Sequence, residues 1–205
     1  MADGLPPALI VERFDIRDSA DDERRIALED LCSVLGLSPD AKYGGTMERV
    51  ARVVRSRSTA PEEDLLVVFK CALFAWLIAD GDRHLKSLAL LEIAEPGDET
   101  FRSVRMTPLY DAVTTRVFPG LEHDRMALKL NGKDDNLRRA DFRGFARTAG
   151  LKAAAADVVI DERRARLADA VDRTALPEGL EHAGAGRKVA ERILDLCRSR
   201  LKSIA

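Results

Sequence analysis

The residues able to do chemistry gather in one polar stretch, Asp80-Gly81-Asp82-Arg83-His84-Leu85-Lys86-Ser87, and at one later position, the end of Pro108-Leu109-Tyr110-Asp111. Asp80, Asp82 and His84 alternate. In an extended segment they could converge on a divalent metal, which carboxylate oxygen and imidazole nitrogen both suit. Taken alone, the spacing fits a hydrogen-bonded turn better, because aspartate stabilises turns through its own backbone. Adding Asp111 points elsewhere. Phosphoryl transfer needs one carboxylate to accept or orient the nucleophile's proton and another to hold magnesium on the nucleotide phosphates. In that arrangement Asp82 is the base and Asp111 the metal ligand. His84 and Lys86 would brace the loop or touch phosphate.

Rigid elements must deliver these groups. Residues 65–78 are apolar nearly all round, which predicts a central helix. Thr59 as a capping hydroxyl, Pro61 in the first turn and Glu62, Glu63 and Asp64 near the positive end of the dipole mark its start. Trp76, the only tryptophan, is expected to pack in the core near the loop. After the loop, residues 88–93 and 101–106 read as two strands joined by the turn Glu95-Pro96-Gly97-Asp98-Glu99, a β-hairpin. A second loop over 111–123 leads to Met126-Ala127-Leu128-Lys129-Leu130 and the turn Asn131-Gly132-Lys133.

Upstream, residues 8–15 read as a strand and the acid-rich 16–23 as a surface connection. Residues 24–36 read as a helix ended by Gly36, and 46–55 as another with Met47, Val50, Val53 and Val54 inward. Its Arg49, Arg52 and Arg55 read as a solvated face. Downstream, Asp141 caps a helix carrying Phe142 and Phe145 that Gly150 ends. Helices over 153–175 and 186–203 follow, with Pro177 and Gly179 between them. Central helix, polar loop, hairpin and distant aspartate is the order found in the large lobe of kinase folds.

Composition narrows the alternatives. With 205 residues, 46% hydrophobic, the chain can bury a sizeable core. The 33 basic residues against 35 acidic ones leave a formal net charge of -2, so no global field attracts nucleic acid or a membrane surface, and direct nucleic-acid contact is not expected. The longest apolar run is shorter than the roughly 20 residues that cross a bilayer. The N-terminus lacks the basic start and apolar core of a secretion signal, so the expected location is cytoplasmic. Cys32, Cys71 and Cys197 are far apart in apolar or amphipathic contexts, the setting of reduced core thiols.

Several segments together resemble one family. Ile10-Val11-Glu12-Arg13-Phe14-Asp15, Glu29-Asp30-Leu31-Cys32, Leu35-Gly36-Leu37, Lys42-Tyr43, residues 74–86, Pro108-Leu109-Tyr110-Asp111 and residues 126–133 are similar to the C-terminal part of HipA-type toxin serine/threonine kinases. The similarity covers about residues 8–150, and its most specific pieces are Asp82-x-His84-x-Lys86 and Pro108-Leu109-Tyr110-Asp111.

This resemblance implies a mostly helical α+β fold, the kinase-like large lobe with short hairpins. Residues 1–15 would be a hinge-like strand and 16–205 the lobe. It implies ATP and magnesium as cofactors, a protein hydroxyl as acceptor, and an antitoxin-like DNA-binding protein as partner. It makes Asp82 the proton acceptor, Asp111 a magnesium ligand, and the backbone around Glu12 and Phe14 the adenine-recognising hinge.

The family loop ends Lys-Asn where this chain has Lys86-Ser87, so Ser87 would offer the metal a shorter hydroxyl in place of an amide oxygen. Lys42, Lys70 and Lys86 all follow the hinge. In the family the phosphate-covering loop and its lysine precede the hinge, and a separately encoded small lobe is one partner that would supply them. The alternative reading is a truncated, catalytically inactive lobe kept as a protein-interaction module.

Overall fold

The structure, a computed structural model, describes residues 9–19, 22–175 and 184–205. The chain forms a hairpin of β1 (Ile16–Ser19) and β2 (Asp22–Arg25), then β3 (Ala27–Asp30), a single-turn helix α1 (Leu31–Val34), and the longer helices α2 (Met47–Arg57) and α3 (Pro61–Leu77). Strands β4 (Ala89–Ile93) and β5 (Ser103–Met106) follow, then helices α4 (Arg139–Thr148), α5 (Ala153–Arg173) and α6 (Gly184–Ser203). The result is a mostly helical α+β fold with a small antiparallel sheet in the order β3-β4-β5.

α3 is the axis. Leu65, Val68, Phe69, Ala72, Leu73 and Leu77 are all fully buried, and α2, α5, α6 and β5 pack around them. Phe69 lies parallel to Phe145 at 6.0 Å between ring centroids and edge-on to Phe142 at 6.2 Å, so α4 is docked by aromatic contact. The helix start differs from expectation in one detail. Ala60 holds the N-cap position without a side-chain bond, while Thr59 donates its hydroxyl to the Val104 carbonyl at 3.1 Å. Asp64, buried in the first turn, accepts the Met106 N–H at 3.0 Å and the Arg105 guanidinium at 3.1 Å, which fastens β5 to α3.

Two upstream expectations are corrected. Residues 24–36 do not form one helix: β2 ends there, β3 pairs with β4 in the register Asp30↔Ala89, and only Leu31–Val34 is helical. Cross-strand pairing satisfies the backbone that a helix would have used. Described residues 9–15 make no strand, because none of the described strands pairs with them, and Leu9 and Ile10 are about 90% and 92% exposed. The polar stretch that follows them instead folds into the β1–β2 hairpin, closed by the Ile26 N–H donating to the Asp15 carbonyl at 2.7 Å.

The other helices follow their sequence signals. Thr46 caps α2 by accepting the Arg49 N–H. Asp141 lies inside the first turn of α4 and accepts the Arg138 N–H at 2.9 Å, and Gly150, with φ +73°, ends that helix. Arg55 is more than a solvated charge: its guanidinium donates to the Ala149 carbonyl at 2.6 Å, at the end of α4. Pro177 and Gly179 lie outside the described residues. All three cysteines are buried and free. No helix among the described residues is long and apolar enough to cross a membrane.

Candidate active site

At the end of α3, Ala79 takes a left-handed conformation, φ +55°, and turns the chain sharply into the polar loop. The next side chain, Asp80, is buried rather than presented. Its carboxylate accepts the Asp82 N–H at 3.0 Å, faces the Arg83 guanidinium at 3.3 Å, and receives the Val113 N–H. Burial pushes the Asp80 carboxyl above its ordinary range, with Arg83 pulling the other way. Asp80 therefore does not join Asp82 and His84 around a metal, and the described residues hold no cluster of three or more potential ligands.

Arg83, only 2% exposed, is the clamp of the site. Its planar fork donates to the carbonyls of Ser87 at 3.0 Å, Tyr110 at 2.6 Å and Asp111 at 3.2 Å. One guanidinium thus ties the loop carrying Asp82 to the segment carrying Asp111. Thr115 supplies a second tie, accepting the Gly81 N–H at 2.9 Å. Gly81 is required here because an added Cβ would run into the Asp124 carboxylate and meet the Thr115 hydroxyl at 2.7 Å.

Asp82 is presented: its side chain is 42% exposed and accepts the Tyr43 hydroxyl at 2.7 Å. That bond to a carboxylate raises the Tyr43 pKa and keeps the phenol a donor. His84 lies buried behind, with Nε2 3.9 Å from the Asp82 carboxylate, too long for a direct hydrogen bond. Burial pushes its pKa down, helped by Lys42, so the ring is neutral near pH 7. Nδ1 accepts the Ser87 N–H at 3.2 Å, which leaves the ring proton on Nε2, the nitrogen facing Asp82.

Asp111 is exposed and adopts φ +53°, an unusual conformation for a non-glycine residue, held here by the clamp on its carbonyl. Its carboxylate has no hydrogen-bond or ion-pair partner among the described residues, yet it acts electrostatically on His84 together with Asp82. Arg83, bonded to the Ser87, Tyr110 and Asp111 carbonyls, holds the segments that carry the two aspartates together. In front of Asp82 opens a cleft of about 550 Å³, lined by Tyr43, Thr115, Phe118, Leu121 and Met126 among others.

The remaining candidates fall differently. Lys86 turns to Asp30, with Nζ 2.9 Å from the carboxylate, and so braces the loop against β3. Ser87 is buried, and its hydroxyl both accepts the His84 N–H and donates to the His84 carbonyl at 3.0 Å each. Both bonds close the turn around His84. Phe14 packs against Tyr110 at 5.6 Å, which brings residues 9–15 beside the Asp111 segment, whereas the Glu12 side chain is simply exposed. Burial pushes the Tyr110 phenol up to about 12, and its hydroxyl donates to the Lys86 carbonyl at 2.9 Å.

Sequence reasoning assigned no role to Arg83, Tyr43 or Thr115. For Arg83 a signal existed, an opposite charge three positions from Asp80 inside a loop. Tyr43 and Thr115 approach the site across 39 and 34 residues, which no local pattern encodes.

Comparison with known proteins bears on the family and the fold. The sequence profile described as "HipA-like C-terminal domain" matches residues 1–171. A Sinorhizobium fredii protein named "Putative kinase Y4mE" is 33% identical over 177 residues, and a second from that organism, "Putative kinase Y4dM", is 29% identical over 109. These matches cover 82% and 53% of this chain but only 38% and 24% of those proteins, so the chain spans well under half the length of either. Among solved structures, the HipA, HipB and operator DNA complex of the Shewanella oneidensis MR-1 toxin-antitoxin system matches with a TM-score of 0.69 and 19% identity. The match covers 93% of this chain and 48% of that one, a likeness of fold. By its profile match and by its identity to Y4mE, supported by that shared fold, the chain belongs to the HipA-like C-terminal domain family.

Proposed function

We propose that this chain is the catalytic large lobe of a HipA-type serine/threonine kinase, which transfers the γ-phosphate of ATP to a protein hydroxyl. The observation that carries this reading is the pair of differently prepared carboxylates on one clamped scaffold: Asp82 oriented by Tyr43 beside an open cleft, and Asp111 exposed with no side-chain partner among the described residues. Such a donor set fits a hard divalent cation, which prefers carboxylate oxygen and keeps places for water and phosphate. Bound there, magnesium neutralises phosphate charge and orients the transferred group.

The chain's own residues do the rest. Asp111 holds the metal, from a backbone fixed by Arg83. Asp82 accepts the proton of the acceptor hydroxyl as that oxygen bonds to the γ-phosphorus and the bond to the ADP oxygen breaks. Neutral His84 stands behind Asp82 with its Nε2 proton facing that carboxylate. The backbone of residues 9–14, beside Tyr110, serves as the adenine hinge, and a small lobe supplies the rest of the nucleotide clamp. The HipA of the solved complex is assembled with HipB and operator DNA, and we infer an antitoxin-like DNA-binding partner here as well.

The test uses γ-labelled ATP, magnesium and a library of serine- and threonine-containing peptides. Asp82→Asn should leave magnesium-ATP affinity within about twofold and reduce label transfer by about a hundredfold or more, the size of a general-base contribution. Equal transfer by the variant and the natural chain would contradict the assignment of Asp82.

A further inference from the structure

Consecutive residues of the turn Thr115–Val117 line two different cavities: Thr115 the cleft at Asp82, and Arg116 a second one of about 470 Å³ between that turn, the start of α4 and the end of α6. We propose that this second cavity is a binding site for a small phosphate-bearing ligand. Its volume lies within the roughly 300–1,000 Å³ of small-molecule sites.

Its charge is one-sided. Arg116, Arg138, Arg200 and Lys202 line it against a single carboxylate, Asp135, which sits 3.3 Å from Arg200. Among the described residues, Arg116, Arg138 and Lys202 have no carboxylate within ion-pair distance, in contrast to Arg139, Arg143 and Arg198 on the same helices, each of which sits on an aspartate. Gathering like charges around a concavity is unfavourable unless something neutralises them.

The central cation is also preorganised. Arg200 is 9% exposed, and its guanidinium carbon lies 3.4 Å over the Trp76 ring. That ring is fixed by its Nε1–H donating to the Ser203 hydroxyl at 3.0 Å. Arg116 is held by its Nε–H donating to the Glu122 carbonyl at 2.9 Å, which leaves its terminal nitrogens for another partner. Burial and the neighbouring Arg116 pull the Arg200 pKa down to about 10, so it stays charged at neutral pH while bearing a cost that an anion relieves. Guanidinium forks match phosphate oxygens in two-point geometry, and three cations beyond the one paired with Asp135 suit a multiply charged group. A walled cavity of this size suits one mono- or diphosphate group rather than a track of phosphates along a duplex.

This inference does not rest on the kinase reading, and its test keeps the two apart. Inorganic pyrophosphate is titrated into the intact chain at constant ionic strength without magnesium, with the fluorescence of Trp76, the only tryptophan and part of the cavity wall, as readout. Saturable quenching is expected. The Arg138→Ala/Lys202→Ala double variant, altered at two solvent-facing positions and checked for unchanged thermal unfolding, should bind at least about tenfold more weakly, since charge-assisted hydrogen bonds are lost. Asp111→Ala should bind within about twofold of the natural chain. No saturable response from a folded chain, an unchanged affinity in the double variant, or a response given by short duplex DNA and not by pyrophosphate would each overturn the proposal.

Discussion

Arg83 and Asp80 form an ion pair with almost no exposure, and the value of such a pair lies in what happens when one member is removed. Arg83→Met leaves a buried carboxylate unpaired and releases three carbonyls, and should cost about 3–5 kcal/mol in urea unfolding. Asp80→Asn/Arg83→Met should lose less than the two single losses combined, because no charge is left uncompensated. His84 gives a pH-dependent counterpart. Its folded pKa is depressed, so its contribution is fully present above the unfolded value near 6.5 and is lost as pH falls through the folded value. Stability should therefore fall as pH drops below about 6.5, and His84→Gln should flatten that slope; an unchanged slope would mean the ring is not held neutral. At this scale the sequence was legible where the chemistry is local. Asp82, His84 and Asp111 announce themselves by type and spacing, whereas the partner of Asp82, Tyr43, arrives through the fold.

Elements show the same division. α2, α3, α4 and the β4–β5 hairpin could be read because their turn residues and apolar periods agree with the packing they enter, although Thr59 does not cap α3 and Asp141 sits inside the first turn of α4. Residues 24–36 could not, because a short apolar stretch fits helix and strand alike and β4 decides between them. Residues 9–15 carry strand-forming side chains without a partner among the described strands: 9–13 are exposed, and Phe14 and Asp15 form a half-buried turn. Phe69 joins α3 to α4, so Phe69→Ala should cost about 3–5 kcal/mol in thermal or denaturant unfolding, the usual loss for a buried aromatic. A loss below about 1 kcal/mol would mean that α4 is docked by other contacts. Gly81→Ala acts on the loop instead, forcing Asp124 and Thr115 aside, and should disturb the site before it disturbs the core.

For the whole molecule, the family match covers residues 1–171, and the fold is shared with the HipA structure, mostly helical around a small antiparallel sheet. Leu9, Ile10 and Val11 are exposed apolar side chains, and Phe14, a few residues on, packs on Tyr110, the neighbour of Asp111. The most direct measurement is calorimetric titration of magnesium-ATP into the 205-residue chain and into Asp111→Ala. A lobe that carries the metal-binding half of the site should show saturable binding that weakens about tenfold or more in the variant, in line with the loss of a charged metal ligand. Binding of equal strength in both folded proteins, or none in either, would contradict a nucleotide site built around Asp111.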